Sequence, residues 1–213
     1  MLNLIKNRFL KIISLLIISV IFFGCDQNSF DEKEAMLAYL KNESNGYIKS
    51  KKINEVNFEL MYKPTDLFVN QELEDDFSKS DVDSLKKKYN GYLYFNLSIS
   101  KKNREILSKA PKNRNEFSIL SNQLMFEMRE KVYAFTQDMD TINMVDYIYP
   151  RMYGASHSTN LLFIYPQDDK FKNSKSLNFV IKELGLGTGD IKFQFETKKI
   201  KAQPELLFKK LNK

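Results

Sequence analysis

The amino-acid sequence predicts an α+β fold: a single domain with a mainly antiparallel sheet and three or four helices packed on it. Segments with the alternating pattern of strands outnumber those with helical spacing, and turns join most of the predicted strands. The 213 residues include 17 Phe and 11 Tyr, which suffice for one core of single-domain size. We therefore expect one body without internal repeats.

Capping residues and apolar spacing predict the elements of the N-terminal half. Helices are expected where apolar residues recur every three or four positions, and strands where apolar and polar residues alternate. In chain order we expect a helix from a capping box at Ser29 and Glu32 to Asn45-Gly46, a strand over 56–62, a helix from Thr65 to Leu73, a helix capped by Ser80 and Asp83 that ends at Tyr89, and a strand over 92–99.

The longest predicted helix covers residues 114–130 and dominates the C-terminal half. Asn113 is its expected cap, and Glu116 reaches back to that cap. The face that we expect to be buried consists of Phe117, Leu120, Leu124 and Met128. The other expected elements are a hairpin of 131–136 with 141–149, a strand over 160–165, and two strands, 177–181 and 191–195, that pair around a glycine-rich loop.

The N-terminus has the parts of a secretory signal. Three basic residues within the first eleven positions precede an apolar run over 12–23. This run is shorter than the about 20 residues that a membrane-spanning helix needs. The only cysteine, Cys25, follows the run behind a small glycine. We therefore predict that residues 1–24 are a signal peptide.

The residues Phe23-Gly24-Cys25 resemble the lipobox of bacterial lipoproteins. In that family the cysteine thiol receives a diacylglycerol, and the chain is cut just before the cysteine. The resemblance implies that Cys25 is lipidated, that residues 25–29 form the anchor and a short tether, and that residues 30–213 form the domain. Two or three acyl chains on one residue hold a protein at a membrane almost permanently. The expected location is therefore a bacterial cell envelope. The protein could be anchored to the inner or the outer membrane, and we favour the outer one. The body would then face the periplasm or the exterior of the cell.

Charge is unevenly distributed after the predicted signal peptide. Residues 25–169 carry nineteen basic and twenty-three acidic side chains, whereas residues 170–213 carry eleven lysines and four acidic residues. The basic C-terminal part would suit contact with an anionic envelope component, although surface lysines also keep a protein soluble, which we favour. Because arginine is scarce and the expected compartment lies outside the cytoplasm, we expect no nucleic-acid partner.

His157 is the only histidine, and it stands between two serines. Adjacent residues of a strand point to opposite faces, which argues against a serine–histidine pair at this place. The chain also lacks the G-x-S-x-G motif of a nucleophile elbow. Because neither pattern supports catalysis, we favour a non-catalytic protein. Carboxylate pairs for glycoside hydrolysis can come from distant parts of a chain, so an envelope hydrolase that acts on a glycan or a peptide is the alternative.

The remaining motifs predict neither a cofactor nor a metal. Residues 185–189 contain three glycines but lack the Gly-Lys-Ser/Thr end of a phosphate loop, so a tight connection explains them better. The acidic clusters lack the ligand spacing of a calcium loop, so helix caps and turns explain them better. A single Cys and a single His exclude a disulfide framework and a Cys/His zinc site.

Aromatic side chains near residue 150 are the candidate binding residues, since Tyr and Arg are enriched at binding hot spots. Four tyrosines, Tyr147, Tyr149, Tyr153 and Tyr165, with Arg151 between them, would line a groove for a peptide or a sugar. Alternating tyrosines also pack across neighbouring strands, and we favour this packing interpretation. The candidates are Tyr149, Arg151, Tyr153 and His157.

Four segments of the predicted body are distinctive, namely 62–66, 94–99, 149–154 and 191–195. Together they resemble a group of small Bacteroidetes lipoproteins of unknown function. The resemblance implies no activity, cofactor or catalytic residue. We therefore expect a lipid-anchored envelope lipoprotein with a binding or structural role, whose partner is an envelope protein or a glycan.

Overall fold

The computed structural model describes residues 29–152 and 154–209. Two antiparallel sheets, a short parallel pair of strands and several helices make up this part of the chain, so the predicted α+β class is confirmed. The strands are β1 (Ser29–Phe30), β2 (Ile48–Ile53), β3 (Val56–Lys63), β4 (Tyr92–Lys101), β5 (Arg104–Glu105), β6 (Val132–Thr136), β7 (Thr141–Ile142), β8 (Asp146–Ile148), β9 (Thr159–Pro166), β10 (Ser176–Ile181), β11 (Ile191–Glu196) and β12 (Glu205–Leu206). The helices are α1 (Lys33–Lys41), α2 (Thr65–Glu72), α3 (Lys79–Tyr89), α4 (Ile106–Lys109), α5 (Arg114–Asn122), α6 (Met128–Lys131), α7 (Asp169–Asn173) and α8 (Thr197–Lys201).

Two sheets pack face to face across the core. The six-stranded sheet has the order β2-β3-β4-β9-β8, with β5 beside β4, and the four-stranded sheet has the order β11-β10-β6-β7. Within both sheets the strands pair antiparallel. β1 and β12 pair in parallel and so join the two ends of the described chain.

Aromatic rings from both sheets meet at Phe95, in the middle of the core. Its ring centroid lies 4.6 Å from that of Phe179 and 5.3 Å from that of Phe195, both on the four-stranded sheet. The rings of Tyr62 and Tyr165 approach it from neighbouring strands of its own sheet, at 5.4 and 6.4 Å. Tilted and edge-to-face rings at these separations attract each other beyond the effect of burial. This aromatic cluster therefore holds the two sheets together.

Alternation along the strands gives the six-stranded sheet one buried and one open face. In β3, Phe58 and Leu60 are buried, whereas Glu59 is exposed and Met61 half-buried. Because paired strands share their side-chain faces, the same division continues across β4 and β9. One face of this sheet therefore packs on the core, and the other, which we call the outer face, is turned toward solvent.

The sequence patterns do not predict β2. Its six residues include Lys49, Lys51 and Lys52, so the apolar half of the alternation is missing. β2 is the terminal strand of its sheet. Lysines are common on such edge strands because they oppose pairing with another chain. The strand is recognisable only from its pairing with β3.

Two of the predicted helix caps, Ser29 with Glu32 and Thr65, are wrong. Ser29 belongs to β1, where it pairs with Glu205, and Glu32 at the start of α1 makes no side-chain cap hydrogen bond. Thr65 is buried within α2, and its N–H donates to Oε1 of Gln203 at 3.2 Å. In both cases a contact with a segment far along the chain replaces the local cap.

The cap of α3 lies two residues before the predicted one. Ser78, and not Ser80, forms a capping box with Asp81. The Asp81 N–H donates to Ser78 Oγ at 3.3 Å, and Asp81 Oδ2 accepts the Ser78 N–H at 2.7 Å. This reciprocal pair satisfies two N–H groups that the helix itself leaves unbonded.

The predicted helix over 114–130 is formed by α5, a π-helical turn over Gln123–Glu127, and α6. Asn113 caps it as predicted, because its Oδ1 accepts the N–H of Glu116 at 2.9 Å. Three of the four residues expected on the buried face are buried, but Phe117 is 46 % exposed. Its assignment is wrong because the first turns of α5 project beyond the body, where nearly all side chains are exposed.

The predicted hairpin of 131–136 with 141–149 is only partly correct. β6 pairs with β7 as expected, but β8 pairs with β9 in the other sheet. The chain passes between the sheets at 143–145, where the Arg129 side chain donates to the Met144 carbonyl oxygen at 3.1 Å. The Val145 N–H then donates to the Ile164 carbonyl oxygen at 2.8 Å. These contacts end the pairing with β6 and start the pairing with β9.

Replacing Leu124 by alanine is expected to lower the free energy of unfolding by about 2 to 5 kcal/mol, because it leaves a cavity at a fully buried position. Urea unfolding followed by circular dichroism measures the change. Phe117→Ala is the control, since this half-exposed side chain loses much less contact with the core. Equal losses for both variants would contradict the observed orientation of the helix.

Candidate functional site

The outer face of the six-stranded sheet carries two rows of aligned side chains. One row crosses five strands through Ile48, Met61, Asn96, Leu162 and Ile148. With strands about 4.8 Å apart, this row is about 19 Å long. A shorter row runs beside it across four of these strands and is polar, with Ser50, Glu59, Ser98 and Asn160.

Two adjoining cavities lie over these rows, and Asn96 lines both of them. The first has a volume of about 520 Å³, is mostly polar, and is bounded by Lys41 and Glu43 beside the polar row. The second has a volume of about 450 Å³ and is bounded by Phe68 and Tyr89 on one side and by Pro150 on the other. Because they share Asn96, we treat the two cavities as one depression, which we call the outer-face groove.

Hydrogen bonds fix the polar side chains of the groove. The Asn96 Nδ2 donates to Asn160 Oδ1 at 3.2 Å, and Asn160 Nδ2 donates to the backbone oxygen and the Oγ of Ser158 at 3.2 and 3.1 Å. This chain of contacts orients two amides and a hydroxyl that reach the groove or its edge. Amides and hydroxyls both donate and accept, so they match ligands that carry hydroxyl or amide groups.

An aromatic wall closes the second cavity. The ring of Phe68 lies 4.3 Å from that of Tyr94 and 5.5 Å from that of Tyr89. The Lys63 ammonium group lies 4.9 Å from the centroid of the Phe68 ring. Burial, with a smaller contribution from nearby tyrosines, raises the pKa of Tyr94 to about 12, so its hydroxyl stays protonated at neutral pH. Burial, followed by the charge of Lys33, lowers the pKa of Lys63.

Tyr149, Arg151 and His157 are not among the residues that line the two cavities, although Pro150 lines the second. Tyr149 is half-buried and packs against the core, and Arg151 and His157 are exposed in the loop between β8 and β9. Tyr153 lies outside the described residues. Tyr165 is fully buried, and burial raises its pKa. A binding role for the exposed members of this set stays a prediction.

The loop that carries Arg151 and His157 is attached to the body at two points. The buried Glu105 carboxylate accepts the N–H of Gly154, and the Oγ1 of Thr159 accepts the N–H of Ile106 at 3.2 Å. Both contacts join the loop to the β5–α4 region, one at its middle and one where β9 begins. The candidate side chains therefore project from an anchored loop.

The glycine-rich loop is a connection between β10 and β11, as predicted, and it is closed by its own carboxylate. Oε1 of Glu183 accepts the N–H groups of Leu186 and Gly187 at 2.5 and 3.0 Å, and Oε2 accepts those of Thr188 at 2.8 Å and of Gly189. Glycines 185, 187 and 189 have φ values of 80°, 71° and 65°, a region that favours glycine. The N–H groups that would cradle a phosphate are thus already bonded.

Four residues of the acidic clusters, Asp81, Asp138, Asp140 and Asp168, lie in helix caps and turns. Asp168 caps α7, since its Oδ1 accepts the Phe171 N–H at 3.0 Å, and Asp81 belongs to the capping box of α3. The N–H groups of Asp138 and Asp140 donate to the Oγ1 of Thr136 at 3.2 and 3.3 Å. Within residues 29–152 and 154–209, no group of three or more His, Cys, Asp or Glu side chains is placed to hold a metal ion.

Comparisons with protein-family models, with curated proteins and with solved structures found no match to this chain. Among the helices of the described residues, none has the length and apolar character needed to cross a membrane. Function must therefore be argued from the geometry of the chain itself.

Sequence reasoning missed the residues that form the groove floor. Asn96, Ser98 and Asn160 are the polar members of alternating strands, and such positions are usually assigned to a solvated face. Their residue types could have identified them. Asparagine and serine recur at these strand positions, whereas an exposed face more commonly carries lysine and glutamate. Tyrosines drew attention to residues 147 and 149, which alternate with the groove residue Ile148 and pack against the core.

Proposed function

We propose that this protein is a lipid-anchored lipoprotein of a bacterial cell envelope that binds another envelope component without converting it. The outer-face groove is the observation that carries the proposal. Its floor spans several strands, its polar side chains are held by hydrogen bonds, and an aromatic wall closes one end. A rigid sheet with a few oriented polar groups and apolar walls is typical of a ligand site.

One feature of the sequence supports the lipid anchor, and two features of the fold say how an anchored chain would meet the body. The charged N-terminus, the apolar run and Cys25 have the order of a lipoprotein signal, as described above. β1 begins at Ser29, four positions after Cys25, so the body would start within about 14 Å of the lipidated residue. The parallel pairing of β1 with β12 holds this end of the chain against the body. In this arrangement the protein binds the membrane through lipidated Cys25, and the body lies in the periplasm or outside the cell.

Cys25→Ser should abolish incorporation of labelled palmitate and leave residues 1–24 attached, since the hydroxyl cannot form the thioether that precedes cleavage. Metabolic labelling of cells that produce the full chain, followed by mass measurement of the purified protein, measures both effects. Ser29→Ala is the control and should label like the original chain. Equal labelling of the original chain and Cys25→Ser would contradict the anchor, and so would a purified chain that begins at Met1.

A photoreactive benzoylphenylalanine in place of Leu162, on the groove floor, should form a covalent adduct with the envelope component in living cells. The control carries the same residue in place of Tyr133, which is 45 % exposed on the four-stranded sheet. We expect an adduct of defined mass from the groove position only. No adduct from position 162, or the same products from both positions, would overturn the proposed binding site.

The alternative, an envelope hydrolase, draws on one specific observation: Glu43 and Glu59 line the same cavity of the groove. A pair of carboxylates is the machinery of glycoside hydrolysis. The general acid of such a pair needs an apolar environment, whereas both side chains are exposed. Release of product from a bound glycan or peptide distinguishes the two functions, because a hydrolase should release product until Glu59→Gln stops the release, whereas a binding protein should release none.

A further inference from the structure

We infer that the ligand of the outer-face groove is a neutral glycan, a short stretch of an uncharged oligosaccharide or polysaccharide chain. The inference rests on the proposed function, because it names the chemical class of the component that the groove binds. It follows from the polar groups on the floor, from the charges at the rim, and from the pairing of the strands beneath.

The floor offers groups that match sugars. Asn96, Ser98 and Asn160 present amides and hydroxyls, and Ser50 adds a hydroxyl at the end of the polar row. Such groups donate and accept hydrogen bonds, as sugar hydroxyls do. Met61 and Leu162 lie between them and provide apolar contact for the C–H faces of sugar rings. The two rows, about 19 and about 14 Å long, accommodate several consecutive rings.

The rim disfavours charged ligands of either sign. Lys41 and Glu43 line the first cavity together with Glu59, which belongs to the polar row of the floor, and Lys63 and Glu72 line the second. Glu72 is itself engaged, since it accepts hydrogen bonds from Lys88 at 2.5 Å and from the Tyr89 hydroxyl at 2.8 Å. An acidic polymer would meet carboxylates along the groove, and a basic one would meet ammonium groups. Because the groove carries charges of both signs, an uncharged polymer fits it better than an acidic or a basic one.

The three central strands beneath the groove leave no main-chain groups for an extended peptide. β3 pairs with β2 and β4, β4 pairs with β3 and β9, and β9 pairs with β4 and β8. Addition of a peptide strand uses the free edge of a sheet, and here only β2 and β8, at the two ends of the rows, are edge strands. Over the three central strands recognition must come from side chains that point up from the sheet, as in a contact with sugar rings.

The experiment uses the full-length protein in mild detergent on an array of neutral, acidic and basic oligosaccharides together with acidic and basic peptides. Asn160→Leu removes the amide from the groove and keeps the side-chain volume. Asn178→Leu is the matched control, because Asn178 is a half-buried amide on the four-stranded sheet, where its Nδ2 donates to the Phe135 carbonyl oxygen at 3.4 Å. Ser98→Ala provides a second groove variant in case Asn160→Leu unfolds, which thermal melting monitors.

We expect binding of neutral oligosaccharides that Asn160→Leu or Ser98→Ala weakens at least tenfold and that Asn178→Leu leaves unchanged. Three results would overturn the inference: an array without a neutral binder, stronger binding of a charged oligosaccharide or a peptide, or neutral binding that the groove variants do not change. The crosslink from position 162 tests the binding groove separately from the identity of its ligand. An adduct in cells without neutral-glycan binding rejects only the glycan, whereas no adduct rejects the binding site itself.

Discussion

Replacing Phe95 by alanine is expected to lower the free energy of unfolding by about 3 to 5 kcal/mol. The ring is fully buried and contacts four other aromatic rings, two of which belong to the opposite sheet. The loss would combine a large cavity with missing ring contacts, each worth about 0.5 to 1.5 kcal/mol. Guanidinium unfolding followed by circular dichroism measures the difference.

The control for Phe95 is Phe126→Ala, since Phe126 is 69 % exposed on the π-helical turn. Its truncation should change the stability by no more than about 0.5 kcal/mol. Phe95→Leu, which refills part of the cavity, should fall between the two. A loss below about 1 kcal/mol for Phe95→Ala would contradict an aromatic core shared by both sheets.

Replacing Glu183 by glutamine should destabilise the β10–β11 connection, with a loss of about 1.5 to 3 kcal/mol at neutral pH. The carboxylate accepts four backbone N–H groups, and the amide nitrogen of glutamine cannot accept those of Thr188 and Gly189. Hydrogen exchange at these amides and urea unfolding measure the local and the global effect. Glu130→Gln makes the same charge change on exposed α6 and should be nearly neutral.

The pH dependence of the Glu183 variant tests the same contact. Partial burial raises the pKa of the Glu183 carboxyl, but the four backbone hydrogen bonds outweigh burial and leave the pKa below its ordinary value. A depressed pKa in the folded state adds stability above the unfolded pKa of about 4.3. This stability is lost as the pH falls through the folded pKa. The stability difference between the original chain and Glu183→Gln should therefore be full at pH 7 and shrink below about pH 4.3; a constant difference would contradict the closure of the loop.

Much of the fold follows from short-range patterns. The period-2 alternation of β3, β4 and β9 is visible in the sequence, and so is the pairing of β10 with β11 around a glycine-rich turn. Asn113 identifies the start of its helix, because the cap and its N–H partner are only three residues apart. These features depend on neighbours along the chain, which is why a single sequence predicts them.

The candidate site could be predicted only in part. Pro150, next to the candidate Arg151, lines the groove, but the floor residues Asn96 and Asn160 were not among the candidates. The alternation of a strand shows which side chains share a face, and it does not show which face a distant element will cover. Tyr149 illustrates this limit, because it alternates with Ile148 and Pro150 of the groove and packs against the core.

The sequence by itself determined the fold class and the alternating core strands, and the signal peptide over residues 1–24 with lipidation at Cys25 stays a prediction. Only the tertiary structure decided that β8 joins the six-stranded sheet, that Ser29 enters a strand, and that one face of the larger sheet stays open. The reason is physical. Alternation and capping arise from contacts between near neighbours, whereas strand partners and covered faces depend on which distant segments bury the most apolar surface together.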